Sequence, residues 1–218
     1  MRKLAIFHHQ PECSIECYNG MFRALSPQYE VKLFTVRDNI DEVLSNVDGI
    51  CFPGGIGDSD SYFDFFTRTK ANKIAAFVSG GGRYVGICMG AYWAGSRYFD
   101  LLDEVDAVQY IKRPTSEIRR SYGTVADIEW LGHREKMFFY DGCTFVGSGN
   151  YDTIAKYAND EPMAIIQGNI GVIGCHPESE EFWYETPYQY INGYWHDGKH
   201  HQLLLEFVNS LWSGGREA

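Results

Sequence analysis

Positive charge is scarce in this chain: 19 Lys and Arg stand against 29 Asp and Glu, a net charge of −10. A surface built for phosphate backbones or anionic lipid needs clustered Lys and Arg. The densest basic group, Lys112, Arg113, Arg119 and Arg120, lies in a loop-like stretch and reads as a solvated face. Neither nucleic acid nor a membrane is expected as a partner. No apolar run approaches the length of a bilayer span. Arg2-Lys3 is followed by only four apolar residues before His8-His9-Gln10-Pro11, too few for a secretory leader, so a cytoplasmic location is expected. A disulfide framework is missing too. Cys51 and Cys175 lie in or beside strand-like runs and Cys88 in a turn, so buried thiols in a reducing compartment are the simplest reading. Cys13 and Cys17 can share a helix face, but no second Cys or His pair completes a zinc set. His196, His200 and His201 do not make one either, because adjacent residues 200 and 201 cannot point to one side of a helix. Nucleotide loops are absent as well: Gly54-Gly55-Ile56-Gly57 lacks the Lys that a phosphate-binding loop requires. No metal and no cofactor are expected.

What remains is an ordinary globular composition, 44% hydrophobic and 22% charged, without repeat or linker, which suits one domain over residues 1–218. Short apolar runs alternate with helical patterns: Leu4–Phe7, a helix over about 14–25, Val31–Phe34, Val47–Phe52, a helix over about 60–79, Tyr84–Ile87, and a helix from Ala91 to about Phe99. Such alternation predicts a mostly parallel α/β sheet with helices on both faces. From about Thr124 the pattern changes to strand candidates joined by turns (Val125–Trp130, Lys136–Tyr140, Ile154–Tyr157, Met163–Gln167, Ile170–Gly174), an antiparallel β extension, before a terminal helix over Leu203–Trp212.

Three strand ends carry chemistry. Gly86-Ile87-Cys88-Met89-Gly90 ends one strand in a Gly-x-Cys-x-Gly turn followed by small residues, the pattern of a nucleophile elbow. Glycines flank the nucleophile because a β-carbon there would strike the adjacent helix or strand. A thiolate at a helix N-terminus is favoured by the amides and peptide dipoles there. His176 follows the run Val172-Ile173-Gly174-Cys175 and, in a parallel sheet, emerges at the same edge as Cys88. Glu178 stands two residues beyond it, placed to hold the imidazole tautomer. Phe52-Pro53-Gly54-Gly55 offers backbone N–H groups at a third strand end, so the Gly55 and Met89 amides are expected to form an oxyanion hole.

These segments resemble the signature series of class I glutamine amidotransferases. Gly-Gly-Arg-Tyr-Val before the elbow, Gly86-Ile87-Cys88-Met89-Gly90-Ala91-Tyr92, and Tyr140-Asp141-Gly142-Cys143 are more closely similar to the glutamine-amidotransferase-like domain at the N-terminus of eukaryotic-type biotin protein ligases. The resemblance covers roughly residues 3 to 185. It implies a flavodoxin-like doubly wound fold with a Cys88–His176–Glu178 triad at the carboxyl edge of the sheet, acting on a small-molecule amide that Gly54 and Tyr92 would touch. In glutamine-hydrolysing members the position of Tyr92 is usually Gln; tyrosine lacks the paired amide donor and acceptor, which puts glutamine itself in doubt as substrate.

Nothing in the chain looks like an ATP-binding acceptor or biotin-ligase catalytic domain, so any ligase or synthetase partner is expected to be a separate chain. Two functional readings follow: a cysteine-dependent amide hydrolase or amidotransferase, and a non-catalytic binding or regulatory module using the same cleft. A third, weaker one is the intracellular-protease-like branch, in which Glu12 or Glu16 would supply the acid. The aromatic stretch Phe182-Trp183-Tyr184, Tyr188, Tyr190, Tyr194-Trp195 reads equally as a substrate wall beside His176, a hydrophobic plug or an oligomer contact. His8 and His9 lie at the active edge, with packing the expected role.

Overall fold

Successive side chains of the first strand face opposite ways, and here both faces are buried: Leu4 and Ile6 enter one core, Ala5 and Phe7 another. A strand apolar on both sides needs a covering layer on each, and the rest of the fold supplies them. The computed structural model describes residues 1–8, 15–55 and 57–213. Of the residues singled out above, His9, Glu12, Cys13 and Ile56 lie outside the described residues.

In chain order the elements are β1 (Lys3–Phe7), α1 (Ile15–Leu25), β2 (Glu30–Phe34), α2 (Ile40–Ser45), β3 (Gly49–Phe52), α3 (Tyr62–Phe65), α4 (Arg68–Ser79), β4 (Arg83–Ile87), α5 (Met89–Trp93), β5 (Val105–Gln109), β6 (Thr124–Trp130), β7 (His133–Phe139), β8 (Cys143–Gly147), β9 (Asp152–Tyr157), β10 (Pro162–Gln167), β11 (Ile170–Ile173) and α6 (Lys199–Ser210). Among the described residues one nine-stranded sheet runs β2-β1-β3-β4-β11-β10-β9-β6-β7. Its first five strands are parallel and the rest antiparallel, as the change of pattern near Thr124 predicts. Met21 and Leu25 of α1 pack with Leu204 and Phe207 of α6 over one face, where the Tyr29 hydroxyl donates to Asn209 Oδ1 at 2.6 Å. Ile74 and Val78 of α4 join Trp93 and Phe99 on the other.

Several local expectations change. The helix expected over 60–79 is broken where Phe66 turns extended, and Thr67 caps α4 by accepting from the Lys70 amide at 3.3 Å. The helix after the elbow stops at Trp93, well short of Phe99. Three short elements lacked enough periodicity to be read: α2, capped by the Asn39 side chain on the Asp41 amide, and the strands β5 and β8, which pair only with each other.

For the site, one register matters most. β11 lies parallel to β4, with Ile173 opposite Ile87, so the residues after each strand leave the sheet at the same edge.

Candidate active site

Cys88 follows β4 with φ 49° and ψ −102°, a backbone state that non-glycine residues adopt at a cost. Its amide donates to the Ile173 carbonyl at 2.8 Å, which pins the turn to the neighbouring strand. The flanking glycines are sterically required. A β-carbon on Gly86 would lie 2.3 Å from the Gly90 oxygen, and one on Gly90 would lie 2.0 Å from the Phe52 oxygen. Cys88 Sγ lies 3.5 Å from the Tyr140 carbonyl oxygen. Because α5 has only five residues, its macrodipole is weak; the local amides are what a sulfur anion would meet. The Met89 amide, at the first helical position, has no intrahelical acceptor.

His176 is fully enclosed, its amide donating to the Phe138 carbonyl at 2.9 Å and its ring edge-on to Phe138 and Trp183. Nδ1 lies 2.9 Å from Oε1 of Glu178, itself wholly buried. Burial works against the imidazolium. Though burial is the largest single influence, the Glu178 carboxylate together with the Cys88 and Cys17 sulfurs outweighs it, and the ring holds its proton well above the ordinary histidine range. Nε2 is buried without a hydrogen-bond partner among the described residues.

Two cavities meet here. One of about 240 Å³ is lined by Gly55, Cys88, Met89, Tyr92 and Asp141, so the elbow sulfur and both expected oxyanion donors border one small, polar space. The second, of about 480 Å³, is bounded by Glu16, Cys17, His176 and the rings of Phe138, Trp183 and Tyr188. Gly55 and Tyr140 line both. Gly54 sits against the imidazole: a β-carbon there would be 2.5 Å from Cε1 of His176. The Tyr92 hydroxyl is committed to the chain, donating to the Asp141 and Gly142 carbonyls at 3.2 Å each, which ties the elbow helix to the loop carrying Tyr140.

Other expectations find their places too. Glu16 lines the larger cavity, but the acid bonded to His176 is Glu178. His8 packs its ring edge against Tyr18. Cys17, not singled out as a site residue, lies with His176 and Glu178 such that their ligand-capable atoms are within 4.8 Å of one another, the one set of metal-ligand spacing among the described residues. The histidines of the tail do not form such a set. Sequence reasoning also missed Phe138, which precedes the Tyr140 segment, and Gly20, where a β-carbon would lie 2.0 Å from the Glu178 oxygen. Only helical spacing on the inner face of α1 hinted at either Cys17 or Gly20.

Comparison with known proteins gives the family and the fold. A family model described as "Biotin-protein ligase, N terminal" matches residues 9–109. The PdxT subunit of pyridoxal 5'-phosphate synthase from Francisella philomiragia subsp. philomiragia is 31% identical over 157 residues, covering 70% of this chain and 79% of that protein. The chain belongs to the class I glutamine amidotransferase-like superfamily. Solved structures add the fold. A glutamine amidotransferase matches with a TM-score of 0.64 at 16% identity, covering 96% of this chain and 98% of that one. Another, from Thermotoga maritima, matches at 0.61 with 13% identity, covering 97% and 92%. The family model spans the elbow and ends before His176.

Proposed function

We propose that the protein is a cysteine-dependent amide hydrolase or amidotransferase in which Cys88 is the nucleophile, His176 the general base and acid, and Glu178 the residue that orients and charges the imidazole. The observation carrying this reading is the buried 2.9 Å contact between His176 Nδ1 and Glu178, at the sheet edge where Cys88 emerges. The proton of the Cys88–His176 pair rests on the imidazole, so the sulfur attacks the amide carbonyl as the thiolate. The resulting oxyanion is met by the Met89 and Gly55 amides, the C–N bond breaks, and the amine leaves with the proton from His176. Water or a second nucleophile then releases the acyl group and returns the proton to His176. PdxT is by its description a synthase subunit; by analogy, ammonia or an amine released here would pass to a separate acceptor chain.

The test is alkylation by chloroacetamide with the modified cysteine mapped by mass spectrometry, Cys88→Ala serving as control. Cys88 is expected to react faster than the other five thiols. Uniformly slow reaction of all six would rule the nucleophile out.

One observation favours a binding module instead. Tyr92 occupies the position that usually carries glutamine-binding Gln, and its hydroxyl is already satisfied by backbone. An unchanged phenotype for Cys88→Ala would select that reading.

A further inference from the structure

The two cavities divide the reaction between them. The carbonyl must sit where the sulfur and the oxyanion amides converge, in the polar cavity of about 240 Å³. A leaving amine must sit where His176 can protonate it, and His176 borders the aromatic cavity of about 480 Å³. A glutamine amide loses only ammonia and would leave that second space empty. Its volume instead falls within the roughly 300–1,000 Å³ of sites that hold drug-sized ligands.

The wall is preorganised rather than collapsed. Phe138 is buried and packs its ring at 5.2 Å from Trp183, 5.6 Å from Tyr184 and 6.1 Å from Tyr188. Gly123 backs the Tyr188 ring so closely that a β-carbon would lie 2.3 Å from it. Aromatic side chains of the tail thus form a small core of their own, with Phe138, Tyr184 and Ile191 at its centre, and still leave the space beside His176 open. A hydrophobic plug would have filled it.

We infer that the substrate is a secondary amide with a compact polar acyl group and an amine portion bearing an aromatic ring, the ring seated against Phe138, Trp183 and Tyr188. This rests on the cysteine-nucleophile reading and deepens it. In the reaction the Cys88 sulfur–carbon bond forms as the C–N bond breaks, and the arylalkylamine departs with the proton held by His176. Water then cleaves the thioester to the free acid and restores the thiolate–imidazolium pair. Offset and edge-on ring contacts, together with the apolar area they bury, give such a substrate its advantage over one that releases ammonia.

The test compares alkylation of Cys88 by chloroacetamide and by N-benzylchloroacetamide, each rate divided by that of the same reagent with glutathione. The benzyl reagent is expected to react at least about tenfold faster and to saturate, as an aromatic group gaining a preformed pocket should. Tyr188→Ala, and separately Phe182→Ala at the half-exposed rim, are expected to cut that ratio to about threefold or less. Efficient reaction of Cys88 with both reagents at equal normalised rates overturns the inference while leaving the nucleophile in place. No reaction of Cys88 with either overturns the nucleophile and the inference together. A preference that survives both variants places the ring elsewhere and also overturns it.

Discussion

Two buried histidine regions lie on either side of the segment 178–180, and the fold treats them in opposite ways. His176 is enclosed by protein, yet its proton is held well above the usual range. His196, partly exposed, and His200, buried, stack at 4.1 Å between ring centroids, and both are pulled down to about 3. Burial lowers all three. What differs is the carboxylate. Glu178 is buried and bonded to His176 Nδ1, and among the described residues no Lys or Arg forms an ion pair with it. Glu135 lies 3.4 Å from His200 but is engaged by the Lys199 ammonium, so its charge is largely answered, while Lys199 and His201 push His200 further down. Around the neutral pair, Ser179 occupies the nitrogens of His196 and His201. The lesson is that a buried histidine keeps its proton here through a nearby carboxylate without a Lys or Arg partner rather than through enclosure.

The sharpest way to break this contrast is Glu178→Gln, which makes the surroundings of His176 like those of His200. Its proton affinity should fall below the ordinary value of 6.5, and Cys88 alkylation at neutral pH should slow about 10²- to 10⁴-fold. An NMR titration of His176 alongside the alkylation rate checks both. Gly20→Ala attacks the same partner by steric means. Alanine raises helix propensity, but its β-carbon would meet the Glu178 backbone carbonyl oxygen at 2.0 Å and push that residue away from His176, so a loss of about 2–3 kcal/mol in denaturant unfolding is expected, with a slower Cys88.

Acid should reveal the neutral pair. With folded values near 3 against 6.5 in the unfolded chain, the unfolded state takes up protons that the folded state refuses. The stabilisation is therefore complete above pH 6.5 and is lost as pH falls toward 3, by about 3 kcal/mol once partial exposure and coupling of the pair are allowed for. His176 has the reverse sign: its contribution is full below pH 6.5 and fades as pH rises through its raised folded value. Unfolding curves of the wild type and His200→Asn between pH 4 and 7 should separate the two, the variant losing less. Tyr92→Phe is the mild control. It removes one shared hydroxyl bond beneath the Tyr140 loop, should cost about 1 kcal/mol, and should leave all three histidine titrations in place.

Much of this was legible in the chain. Apolar runs on both faces required a parallel sheet with two covering layers, and the Gly-x-Cys-x-Gly turn marked the elbow because its glycines have no steric alternative. The run before His176 and the acid two residues later pointed to a histidine–carboxylate contact at the edge where Cys88 emerges, since a strand end fixes where the next residues emerge. Short elements did not show: α2, β5 and β8 have only five or six residues each, too few for a period to stand out. Cys17 was visible only as an inner-face residue of α1, because its nearness to His176 joins segments 159 positions apart.

Sequence alone therefore determined the order of strands and helices, the elbow and the local pairing of His176 with Glu178, all of them consequences of contacts within a few residues or of steric necessity at a turn. Only the tertiary structure decided which histidine keeps a proton, that Tyr92 spends its hydroxyl on backbone, and that the aromatic tail lines an open cavity. Those outcomes depend on burial, on competing charges and on volumes left between distant segments, none of which a linear pattern encodes.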